Sequence, residues 1–500
     1  MKKFFLILFL SIYTSLFSMS IGVNVDWIYD WSNMSLFTDL IKQARGFGDS
    51  NEPWKKIGEI KTDNNGWPIE DFGIVVYSGR KNYYDKIYNL TFDIVDKVPE
   101  IKFIKSTGTI KNIKITNNRY SAKLYLPKDN TQLILSFKHI GSGIKNIKII
   151  DEKYKNNEVF TEEFIEMHKY FKVLRFMELK RINETSIENW KDRTKKEDIF
   201  QNKKDGIAWE YIIDIANTLN KDIWINIPYK ANNEYIKSLA LLLKNGLNKN
   251  LNIYIEYSNE YWNTIFPQNT WLKEQYIEQI EKNKNLKEYK VKNEYFKATL
   301  IAVEKLIKIN KIFSEIFGKS EINNRVRIII GAQIVWTDVI KTQLKYIKKY
   351  YGKPNKYFYG FAGGAYINVE NPDNKNFNDI YNFINNKIEN SPLDLQYKEN
   401  VKISKKYNIK FLAYEGGIDI AGNDFKSSNE IEQKFIQTED YVKLMKKYLD
   451  IWDRYTDNSL FMWYKSGASN NWGFVESMDN LKNKKFIKIK KLLLDENKKE

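Results

Sequence analysis

The hydrophobic and polar positions follow two different patterns along the chain, and the pattern from about residue 160 onward is typical of a parallel sheet. There, short β-branched and aromatic runs are separated by stretches with helical spacing of apolar residues, such as 208–219 and 431–449. Strands that alternate with helices favour βα units, because the crossover helix returns the chain to the start of a parallel neighbour. One strand predicted in this way, 22–27, lies near the start of the chain. The others are 173–178, 222–228, 251–257, 325–333, 357–361, 409–415 and 460–464. Eight such strands predict an α/β fold of the (β/α)8 TIM barrel class.

Between the first two of these strands the pattern changes to short alternating runs that are punctuated by turns. This pattern predicts a small antiparallel β-sandwich, inserted between the first and second barrel strands and emerging on the face where barrel active sites are built. An open doubly wound sheet is the alternative architecture, but no glycine-rich phosphate turn follows the first strand. The predicted domains are 1–20, a signal peptide; 21–72, the first barrel strand and an aromatic loop; 73–155, the inserted sandwich; and 156–500, the remainder of the barrel.

The first twenty residues are typical of a secretory signal. Lys2 and Lys3 precede an apolar stretch that is too short to span a bilayer, and the small residues Ser18 and Ser20 follow it. No later stretch approaches the roughly 20 apolar residues of a membrane helix, so no membrane span is expected. The sequence therefore predicts a secreted or periplasmic protein that is cleaved near Ser20.

The positive charge changes this picture little. Lysine and arginine number 80 against 63 acidic residues, which gives a net charge of +17, but only nine of the basic residues are arginines. Specific phosphate recognition favours the planar arginine fork, so scattered lysines indicate a solvated surface rather than a nucleic-acid partner. With no cysteine and two histidines, the chain also lacks the residues of a familiar transition-metal site. We expect neither a metal nor a cofactor.

Two glutamates at the ends of predicted strands carry the candidate chemistry. Glu260 follows the fourth barrel strand in the run Ile-Tyr-Ile-Glu-Tyr-Ser-Asn-Glu, and Glu415 ends the seventh in Phe-Leu-Ala-Tyr-Glu-Gly-Gly. The carboxyl ends of barrel strands meet at one face, so the two side chains are expected to share a cleft. Two carboxyl groups with separately tuned environments suit glycoside hydrolysis, in which one protonates the leaving oxygen and the other attacks the sugar.

The Asn-Glu pair after strand four and the second Glu on strand seven resemble the clan A retaining glycoside hydrolases. That resemblance implies a (β/α)8 fold, an oligo- or polysaccharide substrate and retention of configuration, with Glu260 as acid/base and Glu415 as nucleophile. The supporting residues it implies are Asn259 at the neighbouring sugar hydroxyl, Arg175 holding the nucleophile ionised, Tyr366 hydrogen-bonded to the nucleophile, and Trp463 under the sugar. Three further strand-end residues, Asp26, Gln333 and Glu178, are candidate sugar contacts, and the loop residues Trp31, Trp54 and Trp67 are candidate stacking platforms.

Most of these residues also have a simpler interpretation. Trp463 and Tyr366 could be core aromatics, and plain packing or surface roles are the alternative for Asp26, Gln333 and Glu178. Glu260 could cap the next helix, Glu415 could precede a tight glycine turn, and Arg175 could be an interior ion-pair partner of Glu178 or Glu256. At the level of the whole protein, a non-catalytic carbohydrate-binding protein and a surface adhesion protein on a barrel scaffold are the alternatives to a secreted glycosidase.

Overall fold

The structure, a computed structural model, describes residues 20–32, 34–80, 84–128, 130–155, 157–289, 291, 293–369, 376–390, 393–420, 430–467 and 472–498. Most of the predicted signal peptide, residues 1–19, lies outside the described residues. Within these ranges, no helix combines the length and the apolar character needed to cross a membrane.

Eight parallel strands close into a barrel, which confirms the predicted (β/α)8 fold. In order around the barrel these strands are β1 (Ile21–Asn24), β10 (Val173–Arg175), β11 (Asp222–Ile227), β12 (Ile253–Tyr257), β13 (Val326–Gly331), β14 (Gly360–Asn368), β15 (Lys410–Asp419) and β16 (Phe461–Trp463). The ring closes where β1 pairs with both neighbours, Val23 with Leu174 on one side and Gly22 with Met462 on the other. Each strand falls at a predicted position, but β14 and β15 run several residues further than their hydrophobic patterns indicate.

Helices surround the barrel and cover the outward faces of its strands. They are α1 (Glu162–His168), α2 (Trp209–Leu219), α3 (Asn233–Gly246), α4 (Pro267–Gln279), α5 (Lys284–Tyr289), α6 (Tyr295–Phe317), α7 (Asp338–Tyr350), α8 (Phe377–Glu389), α9 (Leu393–Tyr407), α10 (Glu430–Phe435), α11 (Glu439–Thr456) and α12 (Lys484–Asn497). Their apolar stripes and the outward strand residues form one continuous core. A separate cluster, which includes Trp224, Tyr254, Leu412, Tyr414 and Met462, fills the barrel interior.

Between β1 and β10 along the chain lie the strands of two four-stranded antiparallel sheets. One sheet has the order β2-β3-β8-β5 and the other β6-β7-β4-β9. Their bounds are β2 (Phe47–Gly48), β3 (Phe72–Ser78), β4 (Lys86–Ile94), β5 (Glu100–Phe103), β6 (Thr109–Thr116), β7 (Arg119–Leu126), β8 (Gln132–Lys138) and β9 (Ile144–Asp151). Apolar residues from both sheets share a second core, so the two sheets form a sandwich.

Two of the loop tryptophans belong structurally to this sandwich. Trp67 packs against the sandwich core beside Phe47, and the ammonium of Lys105 lies 4.2 Å from the ring centroid of Trp54. Trp31 differs from both, because half of its surface is exposed (50%).

Candidate active site

A cavity of about 790 Å³ opens at the carboxyl end of the barrel strands, which is the face on which TIM-barrel active sites are built. Its volume is in the range of small-molecule sites. Among the described residues it is lined by Trp27, Met177, Glu178, Asn183, Asn259, Glu260, Asn263, Ile265, Phe266, Tyr366, Asn368, Glu415, Asp419, Gln433, Tyr464, Lys465 and Trp472. Both predicted catalytic glutamates therefore face one cavity.

Glu260 reaches the cavity through an unusual stretch of backbone after β12. Ser258 and Glu260 both adopt the left-handed region, with φ of 56° and 40°. Residues other than glycine rarely adopt this conformation, and such strain tends to occur at functional sites. The carboxylate is fixed from two sides, because the Tyr414 hydroxyl donates to Oε1 at 2.8 Å and the Asn263 amide donates to Oε2 at 2.9 Å.

Glu415 is placed by an irregularity in the pairing of β14 and β15. The register shifts at Gly363/Gly364, so that Gly363 pairs with Ala413 but Gly364 pairs with Glu415. Tyr414 is therefore the extra residue of a bulge, and bulges re-aim side chains. Tyr414 belongs to the barrel interior cluster, whereas Glu415 lines the cavity. The strand continues to Asp419, so the glycines after Glu415 do not form the tight turn that was the simpler interpretation.

Arg175, the last residue of β10, is fully buried. Its Nη1 donates to Asn24 Oδ1 at 2.8 Å and to Glu415 Oε2 at 3.2 Å. Its Nη2 donates to Glu256 Oε2 and to Asn259 Oδ1, each at 2.9 Å. Arg175 thus makes both contacts that the sequence left as alternatives, an interior ion pair with Glu256 and a direct contact with Glu415.

Glu256 is a member of the site that the sequence pattern did not select as functional. It is fully buried, and its Oε2 also accepts from Trp224 Nε1 at 3.0 Å and from Asn226 Nδ2 at 2.8 Å. A buried carboxylate needs such charged and hydrogen-bonding partners. The two donors and Arg175 explain why it is tolerated inside the barrel.

The electrostatics of the pair follow from burial. Burial raises the pKa of Glu260 above its ordinary value. Burial and then the charge of Glu260 raise the pKa of Glu415 to about 8, while Arg175 opposes this rise. Because the contribution of Glu260 disappears once Glu260 is protonated, the two groups titrate as a pair that retains one proton near neutral pH. The charged guanidinium of Arg175 opposes the rise in the pKa of Glu415, and the hydrogen bonds from Asn263 and Tyr414 oppose the rise in the pKa of Glu260.

Two other predicted residues reach the cavity. Asn259 lines it and accepts from Arg175. Tyr366 lines it from β14, in edge contact with the rings of Tyr464 at 6.1 Å and Trp472 at 5.5 Å. The predicted hydrogen bond from Tyr366 to Glu415 stays an expectation.

Asp26, Gln333 and Trp463 are not among the described residues that line the cavity. Asp26 is buried one layer below, where its Oδ1 lies 2.6 Å from Nζ of Lys465. Gln333 follows β13, and its buried side-chain oxygen has no hydrogen-bond partner among the described residues. Trp463 is 1% exposed and packs in the layer between strands and helices, because residues alternate along β16 and Met462 takes the inward position. The sugar contacts expected of these three residues stay predictions.

Neighbours of the predicted residues line the cavity instead. Trp27 follows Asp26, Tyr464 and Lys465 follow Trp463, and the Tyr464 hydroxyl donates to Glu178 Oε1 at 2.9 Å. All lie within four residues of the end of a barrel strand. Glu178 was among the candidate sugar contacts, and surveying every side chain in those short post-strand segments would also have included Trp27, Tyr464 and Lys465.

No protein-family model matches the chain, and no curated protein matches it significantly. Solved structures with a similar chain path include the N-terminal modules of endo-1,4-β-D-xylanase 10B from Clostridium thermocellum, at 10% identity over 90% of this chain and 93% of that one, with a TM-score of 0.37. A hyperthermostable endo-1,4-β-D-mannanase from Thermotoga petrophila is 11% identical over 67% of this chain and 93% of its own, with a TM-score of 0.34. A β-glucosidase from Thermotoga maritima is 14% identical over 65% and 86%, with a TM-score of 0.30. At these identities and TM-scores, the similar structures say nothing about the function of this chain. The fold is established by the strand pairing described above.

Proposed function

We propose that the protein is a secreted glycoside hydrolase of the clan A type, which cleaves O-glycosidic bonds of a polysaccharide or host glycan with retention of configuration. One observation carries the proposal: Glu260 and Glu415, 155 residues apart in sequence, line the same cavity at the carboxyl end of the barrel. Of the two catalytic candidates, the buried Arg175 donates to Glu415 and the buried Tyr414 donates to Glu260, so the two carboxyl groups have distinct environments. Such asymmetry is what a division into acid and nucleophile requires.

In the first step, Glu260 donates its proton to the glycosidic oxygen while Glu415 Oε attacks the anomeric carbon. The bond between that carbon and the leaving oxygen breaks, and a glycosyl ester of Glu415 forms. The leaving sugar departs as a neutral alcohol. Arg175 supports this step because its positive charge stabilises the carboxylate form of Glu415 before attack.

In the second step, Glu260, now a carboxylate, takes a proton from a water molecule that attacks the same carbon. The ester bond breaks, Glu415 regains its negative charge, and Glu260 regains its proton. Two inversions at one carbon give net retention. The hydrogen bonds from Tyr414 and Asn263 support this step, because they stabilise the charged state of Glu260 between the two proton transfers.

Secretion belongs to the same proposal. Residues 1–20 have the charge and apolar pattern of a signal peptide, and polymeric glycans are met outside the cell. We expect the mature chain to begin after Ser20, which amino-terminal sequencing of the exported protein would test.

The test is a panel of fluorogenic glycosides with the full mature chain and three variants. We expect at least one glycoside to be hydrolysed, with Glu260→Gln and Glu415→Gln each lowering kcat/KM by about a thousandfold or more, while the fold is kept because the replacements are isosteric. Glu166→Gln, which alters a surface carboxylate outside the cavity, is the matched control and should be as active as wild type. Full turnover by Glu415→Gln would overturn the assignment of the nucleophile.

The same panel separates the alternatives. A non-catalytic carbohydrate-binding protein would hydrolyse nothing and would bind glycans equally well with and without Glu415→Gln. A surface adhesion protein would lose its binding when residues 73–150 are removed, whatever is changed at the two glutamates.

A further inference from the structure

Three aromatic side chains follow the first barrel strand and extend from the cavity to the protein surface. Trp27 lines the cavity. Its ring meets Tyr29 edge-on at 5.6 Å between centroids and Trp31 edge-on at 6.1 Å. Trp31 lies beyond the lining residues and is 50% exposed. The aromatic surface is therefore continuous from the candidate catalytic pair outward.

The exposed ring of Trp31 is fixed in place. Tyr29 stacks on it with centroids 4.6 Å apart and the planes inclined by only 8°. The guanidinium of Arg181 lies 4.9 Å from the Tyr29 centroid, so Tyr29 is held between Arg181 and Trp31. Tyr29 covers one face of Trp31, and half of the surface of Trp31 stays exposed. We call this exposed surface the Trp31 platform.

The inserted sandwich anchors the segment that carries this platform. Asp30 lies between Tyr29 and Trp31 in sequence. Its carboxylate accepts hydrogen bonds from Arg45 Nη2 at 2.6 Å and from the Ser78 hydroxyl at 3.0 Å. The backbone N–H of Ser78, at the end of β3, also donates to the carbonyl of Asp30 at 2.8 Å. A large apolar ring that is half exposed and yet braced on several sides has the properties of a binding surface rather than of a loosely attached loop residue.

We propose that the Trp31 platform binds a distal sugar unit of the same saccharide chain whose reacting bond lies between Glu260 and Glu415. A pyranose ring presents a flat face of C–H groups that packs on an indole, and Trp27 continues the aromatic surface back to the cavity. This inference rests on the proposed function and makes it more specific: the substrate is an oligosaccharide or polysaccharide long enough to extend beyond the cavity. It also gives the sandwich a role, which is to position the platform through Asp30.

The experiment compares chain-length dependence in wild type, Trp31→Ala and Trp54→Ala. The substrates are an oligosaccharide series of two to six units of whichever glycan the wild type hydrolyses, together with its nitrophenyl monosaccharide. We expect Trp31→Ala to lower kcat/KM about tenfold on the longest members and less than about twofold on the nitrophenyl monosaccharide. Trp54→Ala, which removes a tryptophan of the same loop that lies against the sandwich, should behave as wild type on all of them.

The outcomes separate the two proposals. If wild type hydrolyses no glycoside, the proposed function fails and this inference falls with it. If wild type is active but Trp31→Ala loses nothing on long chains, or loses equally on long and short substrates, the inference alone is overturned. A change in the sedimentation coefficient of Trp31→Ala without a change in chain-length dependence would identify the platform as a contact between protein copies and would also overturn it.

Discussion

Two buried carboxyl groups that face one cavity cannot both be charged without a large cost, so we expect the pair to share one proton. Burial raises the pKa of both groups, and the pKa of Glu415 reaches about 8 when Glu260 is charged. The reaction needs one proton on the pair. Loss of that proton at high pH removes the general acid, and gain of a second proton at low pH neutralises the nucleophile.

The pH dependence of kcat/KM follows from these raised pKa values. We expect a bell-shaped profile whose alkaline side falls near pH 8, because above that value both carboxyl groups are ionised. A pH–rate profile on the best panel substrate measures it. An alkaline side that falls at about pH 5, the range of ordinary exposed carboxyl groups, would contradict the buried pair.

Tyr414 affects the pKa of one member of the pair, Glu260. Its hydroxyl donates to Glu260 at 2.8 Å and so stabilises the charged form, which lowers the pKa of Glu260 against the effect of burial. Tyr414→Phe should therefore raise the alkaline limit of kcat/KM by about one pH unit, the equivalent of one hydrogen bond to a charged group.

Tyr254→Phe is the control for this prediction. Tyr254 lies in the same barrel interior cluster but donates no bond to the glutamates, since its hydroxyl accepts from Arg327 at 2.5 Å. Its replacement should leave the pH profile where it was. A profile that moves equally in both variants would indicate a general loosening of the barrel rather than a hydrogen bond to Glu260.

At the scale of elements, β15 has an unusual course because of its pairing with β14. Glu415 and the two residues after it remain in the strand, and a Cβ atom on Gly416 would lie 2.3 Å from the carbonyl oxygen of Ala365 and 2.7 Å from the Phe461 ring. Only glycine fits so close to a neighbouring backbone.

Gly416→Ala should therefore destabilise the protein by about 2 kcal/mol or more, since both contacts are with parts of the barrel that cannot easily move. Urea unfolding of wild type and variant measures the difference. Gly58→Ser is a suitable comparison, because a Cβ there would meet nothing within 4 Å, although its φ of 80° adds some backbone strain. An unfolding free energy of Gly416→Ala equal to that of wild type would mean that β14 and β15 do not pair as described.

The barrel strands could be predicted because each is a compact apolar run between helical stretches. The two strands β5 and β6 could not, for a physical reason. Every side chain of β5 and β6 is at least partly exposed, so the apolar alternation that marks a half-buried strand is weak. A register shift between Lys111 and Lys114 interrupts the alternation of β6 further. The bulge at Tyr414, next to Glu415, could not be predicted from the sequence either, because it depends on the pairing with β14 and not on local composition.

The same distinction applies to the site. Glu260 and Glu415 could be placed at one face from strand counting, because carboxyl ends of parallel strands meet, and the resemblance to clan A enzymes added Asn259 and Tyr366. Trp463 could not, because its side chain direction depends on which residues of a three-residue strand face inward. Arg175 was recognised, but its simultaneous contact with Glu256 and Glu415 depends on three strands coming within reach of one guanidinium.

At the scale of the whole molecule, the charge of the cavity opposes that of the chain. The net charge of the chain is +17, yet the described cavity lining has four carboxyl residues, Glu178, Glu260, Glu415 and Asp419, and one lysine, Lys465. The local field in a cleft governs a bound substrate more strongly than distant, solvent-screened surface charge.

We therefore expect neutral glycans to be hydrolysed in preference to glycans that carry carboxylate or sulfate groups. Initial rates on a neutral polysaccharide and on its carboxylated derivative, each at low and at moderate salt, measure this preference. Salt should reduce the difference between the two rates, because it screens the repulsion between the cavity carboxylates and the carboxylated substrate. Faster hydrolysis of the carboxylated derivative would show that the basic surface, and not the acidic cavity, selects the substrate.

We propose that Glu415 and Glu260 act together on one glycosidic bond, with Glu415 forming a bond to the sugar. An activated 2-deoxy-2-fluoro glycoside of the sugar identified by the panel, followed by mass spectrometry of the intact protein and its peptides, tests this bond. The fluorine slows the second step, so we expect one glycosyl group per chain, attached to Glu415 and absent from Glu415→Gln. Attachment at another residue, or turnover of this substrate by wild type with inversion of configuration, would contradict it.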